Sequence, residues 1–109
     1  DLHLKVAKKI QQWNVTGNAG LVVGATFPEK IKAIRDITGQ IPFLIPGVGT
    51  QRGDLEKTLL NADDLSKLPY IINASRSIIY ASSRDDYAQK AGIAAKLLRD
   101  RINLLRSSL

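Results

Sequence analysis

The sequence predicts an α/β fold built on parallel strands, and three features of the chain support this expectation. Helical and strand patterns alternate along the 109 residues, because a helix comes first and a strand followed by a helix then occurs three times. The strands are short continuous apolar runs, which is typical of parallel strands that are covered on both faces. One strand leads through a glycine-rich loop into a helix, an arrangement with which α/β enzymes bind anions. Such alternation implies right-handed crossovers between neighbouring strands.

The first helix is predicted over residues 2–13, with Asp1 as a candidate N-cap. Four apolar side chains share one face at spacings of four, four and three residues, and they are Leu2, Val6, Ile10 and Trp13. Lysines fill the opposite face. The pattern is that of an amphipathic helix that packs on one side.

The first strand and its helix follow. The apolar run Leu21–Val23 is expected to form a strand that is buried on both faces. Pro28 suits the first turn of the next helix, where the amide hydrogen that proline lacks has no helical partner. Gly39 is expected to end this helix. Isoleucines recur every third residue between these positions, and they are Ile31, Ile34 and Ile37.

The second strand, predicted over Pro42–Ile45, leads into the loop that contains three glycines at positions 47, 49 and 53. Asp54 is a plausible N-cap for a helix over Leu55–Asn61. The third strand is predicted over Tyr70–Ile72. It is followed by small polar residues and Arg76, and then by Ile78–Tyr80, which is either a continuation of the strand or a hydrophobic turn beneath the sheet.

The last helix is long. Residues 83–86 supply serine and aspartate side chains at its start, which favour both capping and the helix dipole. One face of this helix is marked by Tyr87, Ala91, Ala94, Leu98, Ile102 and Leu105.

Composition excludes several kinds of site. The chain has no cysteine, which excludes disulfides, cysteine-bound zinc and a thiol nucleophile. The single histidine, His3, lies on the first helix, where packing is its expected role, and no acidic pair has metal-ligand spacing. No apolar run approaches the roughly 20 residues that span a bilayer, and the start of the chain lacks the basic segment of a signal peptide. We therefore expect a cytoplasmic protein without a membrane partner.

The net charge of +6 suits an anionic ligand. The basic residues are scattered over helix faces, and no nucleic-acid-binding motif is present, so nucleic acid is not the expected partner. Gln51, in the glycine loop, and Arg76, after the third strand, are the candidates to converge on one phosphate, because ligands bind at the carboxyl ends of parallel strands. The alternatives are a structural turn for the glycines, a solvated charge for Arg76 and an exposed loop side chain for Gln51.

Three blocks of the sequence resemble the orotidine 5′-phosphate decarboxylase family, whose enzymes catalyse the last step of UMP synthesis. The blocks are residues 20–26 with Pro28 and Glu29, residues 46–54, and residues 75–80. In order, they resemble the family's sixth strand with the start of its helix, its seventh, phosphate-gripping loop and the end of its eighth strand. The resemblance implies that residues 1–109 are a single unit, the carboxyl-terminal part of a (β/α)8 TIM-type barrel with about three parallel strands and flanking helices.

The resemblance also implies roles for particular residues. Gln51 and Arg76 would bind the substrate phosphate, helped by backbone N–H groups near Ser75, and Pro46 and Val48 would lie beside the pyrimidine. Arg52 stands where the family usually has glycine, so it would add a phosphate contact or stiffen the loop.

The family's catalytic Asp-x-Lys-x-x-Asp motif is absent from this sequence. We therefore expect no catalytic residue in this chain, and we expect the other strands on residues outside it, since a complete barrel takes about 250 residues. An incomplete barrel has open edges and an uncovered inner face. The chain is thus expected to pack against its own amino-terminal half or a second copy.

By analogy with the family, the complete enzyme would be a homodimer that acts on a nucleotide monophosphate without a metal or organic cofactor. Two other functions remain open from the sequence. One is another phosphate-binding β/α-barrel decarboxylase, such as one that acts on sugar phosphates. The other is a non-catalytic anion-binding module.

Overall fold

The computed structural model describes residues 1–48, 54–62 and 69–108. In these ranges helices and strands alternate as the sequence predicts, with one additional helical turn, α4, after the third strand. The elements are α1 Leu2–Trp13, β1 Leu21–Val22, α2 Pro28–Thr38, β2 Phe43–Pro46, α3 Leu55–Ala62, β3 Tyr70–Asn73, α4 Arg76–Ile79 and α5 Tyr87–Ser107.

The three strands form one parallel sheet in the order β1-β2-β3. Phe43 of β2 lies between Leu21 of β1 and Tyr70 of β3, and the last residues of β2 and β3, Pro46 and Asn73, are paired. β2 and β3 therefore end side by side. This places the segments that follow them at a common carboxyl edge, as the predicted fold class requires.

Helices cover one face of the sheet. α1 packs on α2, α2 on α3, and α5 on both α3 and α4. Between the helices and the sheet lies one apolar core made of Ala7, Val23, Ala25, Ile31, Ile34, Phe43, Ile45, Val48 and Ala62. Within the described ranges, none of the helices is long and apolar enough to cross a membrane.

The other face of the sheet is uncovered. Val22, Leu44 and Ile71 lie in one row across the strands, and they are 68%, 38% and 67% exposed. We call this row the open face. The prediction that the first strand is buried on both faces is therefore wrong for this chain, because helices cover only one side of the sheet. The expectation of an uncovered inner face agrees with the structure.

Two local signals are confirmed. Gly39 follows α2 with a φ of 58°, a conformation that glycine adopts at little cost. Asp54 caps α3, because its carboxylate accepts a hydrogen bond of 3.1 Å from the backbone N–H of Lys57. Asp1 occupies the N-cap position of α1 but makes no such bond.

Three predictions about packing need correction. The predicted inner face of α1 is largely exposed: Leu2 and Val6 border a groove beside the free edge of β1, and the core contact comes from Ala7 instead. The spacing of apolar residues identified the apolar face of α1, but it did not show which part of that face packs against the rest of this chain. Tyr87 is likewise 62% exposed, although the rest of the predicted α5 face is partly buried.

The third correction concerns the segment after β3. Residues 78–80 do not continue the strand. Of the predicted hydrophobic turn, only Ile78 is partly buried, in the groove between β3 and α5, whereas Ile79 is exposed. Arg76–Ile79 form the single helical turn α4, and Tyr80, which follows it, is 75% exposed. The chain turns here because the backbone carbonyl of Ser75 accepts hydrogen bonds from both Ile78 and Ile79, at 3.0 and 2.8 Å.

Candidate functional site

The candidate site lies at the carboxyl edge of the sheet, where β2 and β3 end. Gly47 follows β2 with a φ of 96°, which turns the chain sharply out of the sheet. The segment that follows β1 holds the end of β2 in place, because the N–H of Ala25 donates a 2.9 Å hydrogen bond to the carbonyl of Pro46. The rigid sheet therefore fixes one wall of the site.

The second wall follows β3. Ser75 is the N-cap residue of α4, and Arg76 is the first residue of that turn. The two residues therefore leave the sheet immediately beyond the paired strand ends Pro46 and Asn73. The tight α4 turn keeps the Arg76 side chain beside the strand end.

A small cleft of about 120 Å³ separates the two walls. This volume is several times the roughly 10–15 Å³ that a single water needs. We call it the strand-end cleft, and its lining consists of Pro46, Gly47, Val48, Asn73, Ala74, Ser75 and Arg76.

Four of the residues named from the sequence thus meet in one place, namely Pro46, Val48, Ser75 and Arg76. Val48 is 6% exposed and belongs to the apolar core, so it forms a fixed apolar wall of the cleft. Gln51, the fifth, lies outside the described residues, as does Arg52.

Arg76 supplies the charge of the cleft. Its side chain is exposed, and across the described ranges it takes part in no ion pair and no hydrogen bond. A guanidinium group carries five N–H donors in a planar fork, which matches the oxygens of a phosphate or carboxylate. The arrangement is therefore suited to hold an oxyanion next to an apolar surface.

Sequence reasoning did not single out Asn73 and Ala74, which also line the cleft. The available signal was positional, since both follow directly on a predicted strand that lies next to the glycine-loop strand. His3 is elsewhere, in an apolar groove next to β1 with Val22 and Phe27. Among the residues that the structure describes, no group of three or more histidine, aspartate or glutamate side chains could hold a metal ion.

Known proteins resemble this chain over almost its whole length, although no protein-family model matches it. Orotidine 5′-phosphate decarboxylase from Ralstonia nicotianae is 47% identical over 95 residues, which are 87% of this chain and 35% of the relative. The protein of the same name from an Azoarcus species is 44% identical over 106 residues, 96% of this chain and 39% of the relative. The chain is a homologue of orotidine 5′-phosphate decarboxylase. It spans between a third and two fifths of the length of these relatives.

The solved structure of the Leishmania donovani OMP decarboxylase gives the same result for the fold. It superimposes with a TM-score of 0.75 at 35% sequence identity, over 94% of this chain and 38% of that one. The three parallel strands and their helices thus correspond to part of a decarboxylase TIM barrel. In such barrels the active site lies at the carboxyl ends of the strands, which is the edge that carries the strand-end cleft.

Proposed function

We propose that this chain supplies the substrate-phosphate site of an orotidine 5′-phosphate decarboxylase, which converts orotidine 5′-monophosphate to UMP and CO2. The observation that carries the proposal is the strand-end cleft, in which Arg76 stands without a partner among the described residues beside Pro46 and Val48. The names of the homologous proteins supply the reaction. On this proposal, residues 1–109 form one unit, the carboxyl-terminal part of the barrel.

The phosphate would lie against Arg76 and the backbone near Ser75, with Gln51 as a second donor. Because the phosphate is remote from the carbon that loses CO2, its binding energy serves to hold the substrate in place and to stabilise the transition state. The reaction breaks the bond between the pyrimidine ring and its carboxylate, and a proton then replaces the carboxylate on the ring. The acidic and lysine groups for these steps would come from the rest of the barrel.

Substitution of Arg76 tests this proposal in a full-length decarboxylase that carries this chain. Arg76→Ala removes charge-assisted hydrogen bonds worth about 1.5–3 kcal/mol, so kcat/KM for orotidine 5′-monophosphate should fall roughly 10- to 150-fold. Arg84→Ala is the matched control, because Arg84 is also exposed but does not line the cleft. An unchanged kcat/KM in the Arg76 variant would remove this residue from the site.

The nature of the substrate is tested by competition. UMP should inhibit the wild-type enzyme at far lower concentration than a pentulose phosphate does, because only UMP carries the pyrimidine that would meet Pro46 and Val48. Equal inhibition, or stronger inhibition by the pentulose phosphate, would instead favour a sugar-phosphate decarboxylase.

We also propose that the open face is covered in the active protein, by the remaining strands of the barrel or by a second copy, and that the enzyme is a cytoplasmic homodimer. Val22, Leu44 and Ile71 support the first part, since a row of exposed apolar side chains on a sheet is prone to association. Sedimentation velocity on the isolated chain should show association that grows with concentration. A stable, monodisperse monomer would contradict this.

A further inference from the structure

Asn73 occupies a position in the cleft that the proposed phosphate site does not explain. It is the last residue of β3, and it pairs with Pro46, the last residue of β2. It lines the strand-end cleft together with Arg76 and also borders the groove between β3 and α5. Asn73 therefore still belongs to the sheet, whereas Arg76 lies in the turn that follows it.

The strand pattern fixes the side of the sheet on which Asn73 lies. Successive side chains of a strand point to opposite faces. Tyr70 and Ile72 pack toward the helices and the core, whereas Ile71 belongs to the open face. Asn73 has the same parity as Ile71 and is itself exposed. Its side chain thus lies on the same side of the sheet as Ile71, two residues further along β3, where the cleft begins.

A structural role for this amide is not visible. Asparagine is disfavoured in strands, and at strand ends it commonly serves a turn by bonding the backbone two residues further on. Across the described ranges, the Asn73 side chain makes no hydrogen bond to that backbone or to any other group. Its donor and acceptor are available to a ligand in the cleft.

The chemistry of an amide indicates which part of a nucleotide it would contact. Phosphate oxygens accept hydrogen bonds, so a phosphate would use only the NH2 group and leave the amide oxygen without a donor. A ribose hydroxyl or the imide edge of a pyrimidine both donates and accepts. We propose that Asn73 is a substrate-binding residue that hydrogen-bonds the neutral nucleoside part of the nucleotide, while Arg76 holds the phosphate. This inference rests on the proposed function.

Binding measurements with three ligands test whether Asn73 contacts the nucleoside while Arg76 contacts the phosphate. Dissociation constants for UMP, ribose 5-phosphate and inorganic phosphate are measured by calorimetry on the full-length decarboxylase that carries this chain. The variants are Asn73→Leu, which keeps the size of the side chain but removes its hydrogen bonds, Asn73→Ala as a second truncation, and Arg76→Ala. Circular dichroism establishes that each variant is folded, and Asn73→Ala replaces Asn73→Leu if the larger side chain disturbs the fold.

One neutral hydrogen bond contributes about 0.5–1.5 kcal/mol. Loss of Asn73 should therefore weaken UMP binding about 2- to 12-fold and leave the affinity for inorganic phosphate within about twofold. Loss of Arg76 should weaken the binding of both UMP and inorganic phosphate. If ribose 5-phosphate loses affinity together with UMP, Asn73 contacts the sugar; if only UMP does, it contacts the base.

An unchanged UMP affinity in both Asn73 variants would overturn the inference, as would equal losses for UMP and inorganic phosphate. These results would leave the proposed function intact, provided that Arg76→Ala still weakens the binding of UMP. Failure of the wild-type protein to bind UMP would refute the proposed function itself.

Discussion

Two arginines at opposite ends of the same sheet differ in every respect that matters for function. Arg35 of α2 is 2% exposed, and its guanidinium donates to the carbonyls of Gly39, Ile41 and Pro69 at 2.9, 2.6 and 3.3 Å. It also lies 3.5 Å from the centre of the Phe43 ring. Since Ile41 and Pro69 precede β2 and β3, this arginine ties together the amino ends of two strands.

Arg76 lies at the carboxyl end of those strands, where the protein offers its guanidinium no partner among the described residues. The comparison shows that the surroundings of an arginine, rather than its presence beside a sheet, separate a structural role from a binding role. Donors that are filled by the chain itself hold the fold together, and donors that remain exposed are available to a ligand. In β/α barrels the same division separates the amino-terminal face of the strands from the carboxyl-terminal face.

The largest loss of stability is expected when Arg35, at the amino ends of β2 and β3, is replaced. Arg35→Ala would remove the donor of the buried Ile41 carbonyl and of the part-buried Gly39 carbonyl, and it would open a cavity beside Phe43. Together these losses should lower the free energy of unfolding by about 3–5 kcal/mol. Urea unfolding followed by circular dichroism measures this change. Arg35→Met keeps the packing over Phe43 and should recover part of the loss. If Arg35→Ala lowered the free energy of unfolding by less than about 1 kcal/mol, the hydrogen bonds of Arg35 would not be important for stability.

The reverse result is expected for Arg76. Because its side chain is exposed and bonds nothing in the described chain, Arg76→Ala should change the free energy of unfolding by no more than about 0.5 kcal/mol, although we expect it to weaken UMP binding. The same urea titration provides the measurement. If this variant were as unstable as the Arg35 variant, the two arginines would not differ in role and the comparison would fail.

Asp54 tests whether a charged residue at the carboxyl edge is enough to indicate function. Its carboxylate caps α3, so Asp54→Ala should lower the free energy of unfolding by about 1 kcal/mol. UMP affinity, measured by calorimetry, should stay within about twofold. Asp1→Ala is the matched control, because Asp1 is also an N-cap residue but makes no capping bond. Because Asp1 has no capping bond to lose, Asp1→Ala should change the free energy of unfolding by no more than about 0.5 kcal/mol.

The smallest effect is expected for an arginine at neither end of the sheet. Arg99 of α5 forms an exposed ion pair of 2.7 Å with Asp100. Exposed pairs contribute about 0–1 kcal/mol, so Arg99→Ala should barely alter unfolding or UMP affinity. A loss of stability comparable to that of Arg35→Ala would mean that removal of any arginine destabilises this protein.

Much of the fold was predictable because local chemistry determines it. Pro28 and Gly39 mark the ends of α2, and Asp54 marks the start of α3, each for a reason that acts within one helical turn. The open face was harder to predict from the strands alone. An apolar run such as Leu21–Val23 shows that a strand can be buried on both faces, but it does not show whether this chain provides the cover.

The candidate site was predictable in part. Arg76 was found because it follows a strand among small residues. Asn73 was overlooked because it was grouped with the small polar residues that follow the third strand, where asparagine usually serves a turn. Arg35 was also overlooked, although a signal exists: it lies on the helical face of the buried residues Ile31 and Thr38, where an arginine must find partners inside the protein.

A crystal structure of the full-length protein that contains this chain, solved with UMP bound, would show directly whether Arg76 holds the phosphate. We expect the phosphate to lie in the strand-end cleft, with Arg76 guanidinium nitrogens about 2.7–2.9 Å from its oxygens. A phosphate bound elsewhere, with the guanidinium more than about 4 Å from every phosphate oxygen, would contradict it.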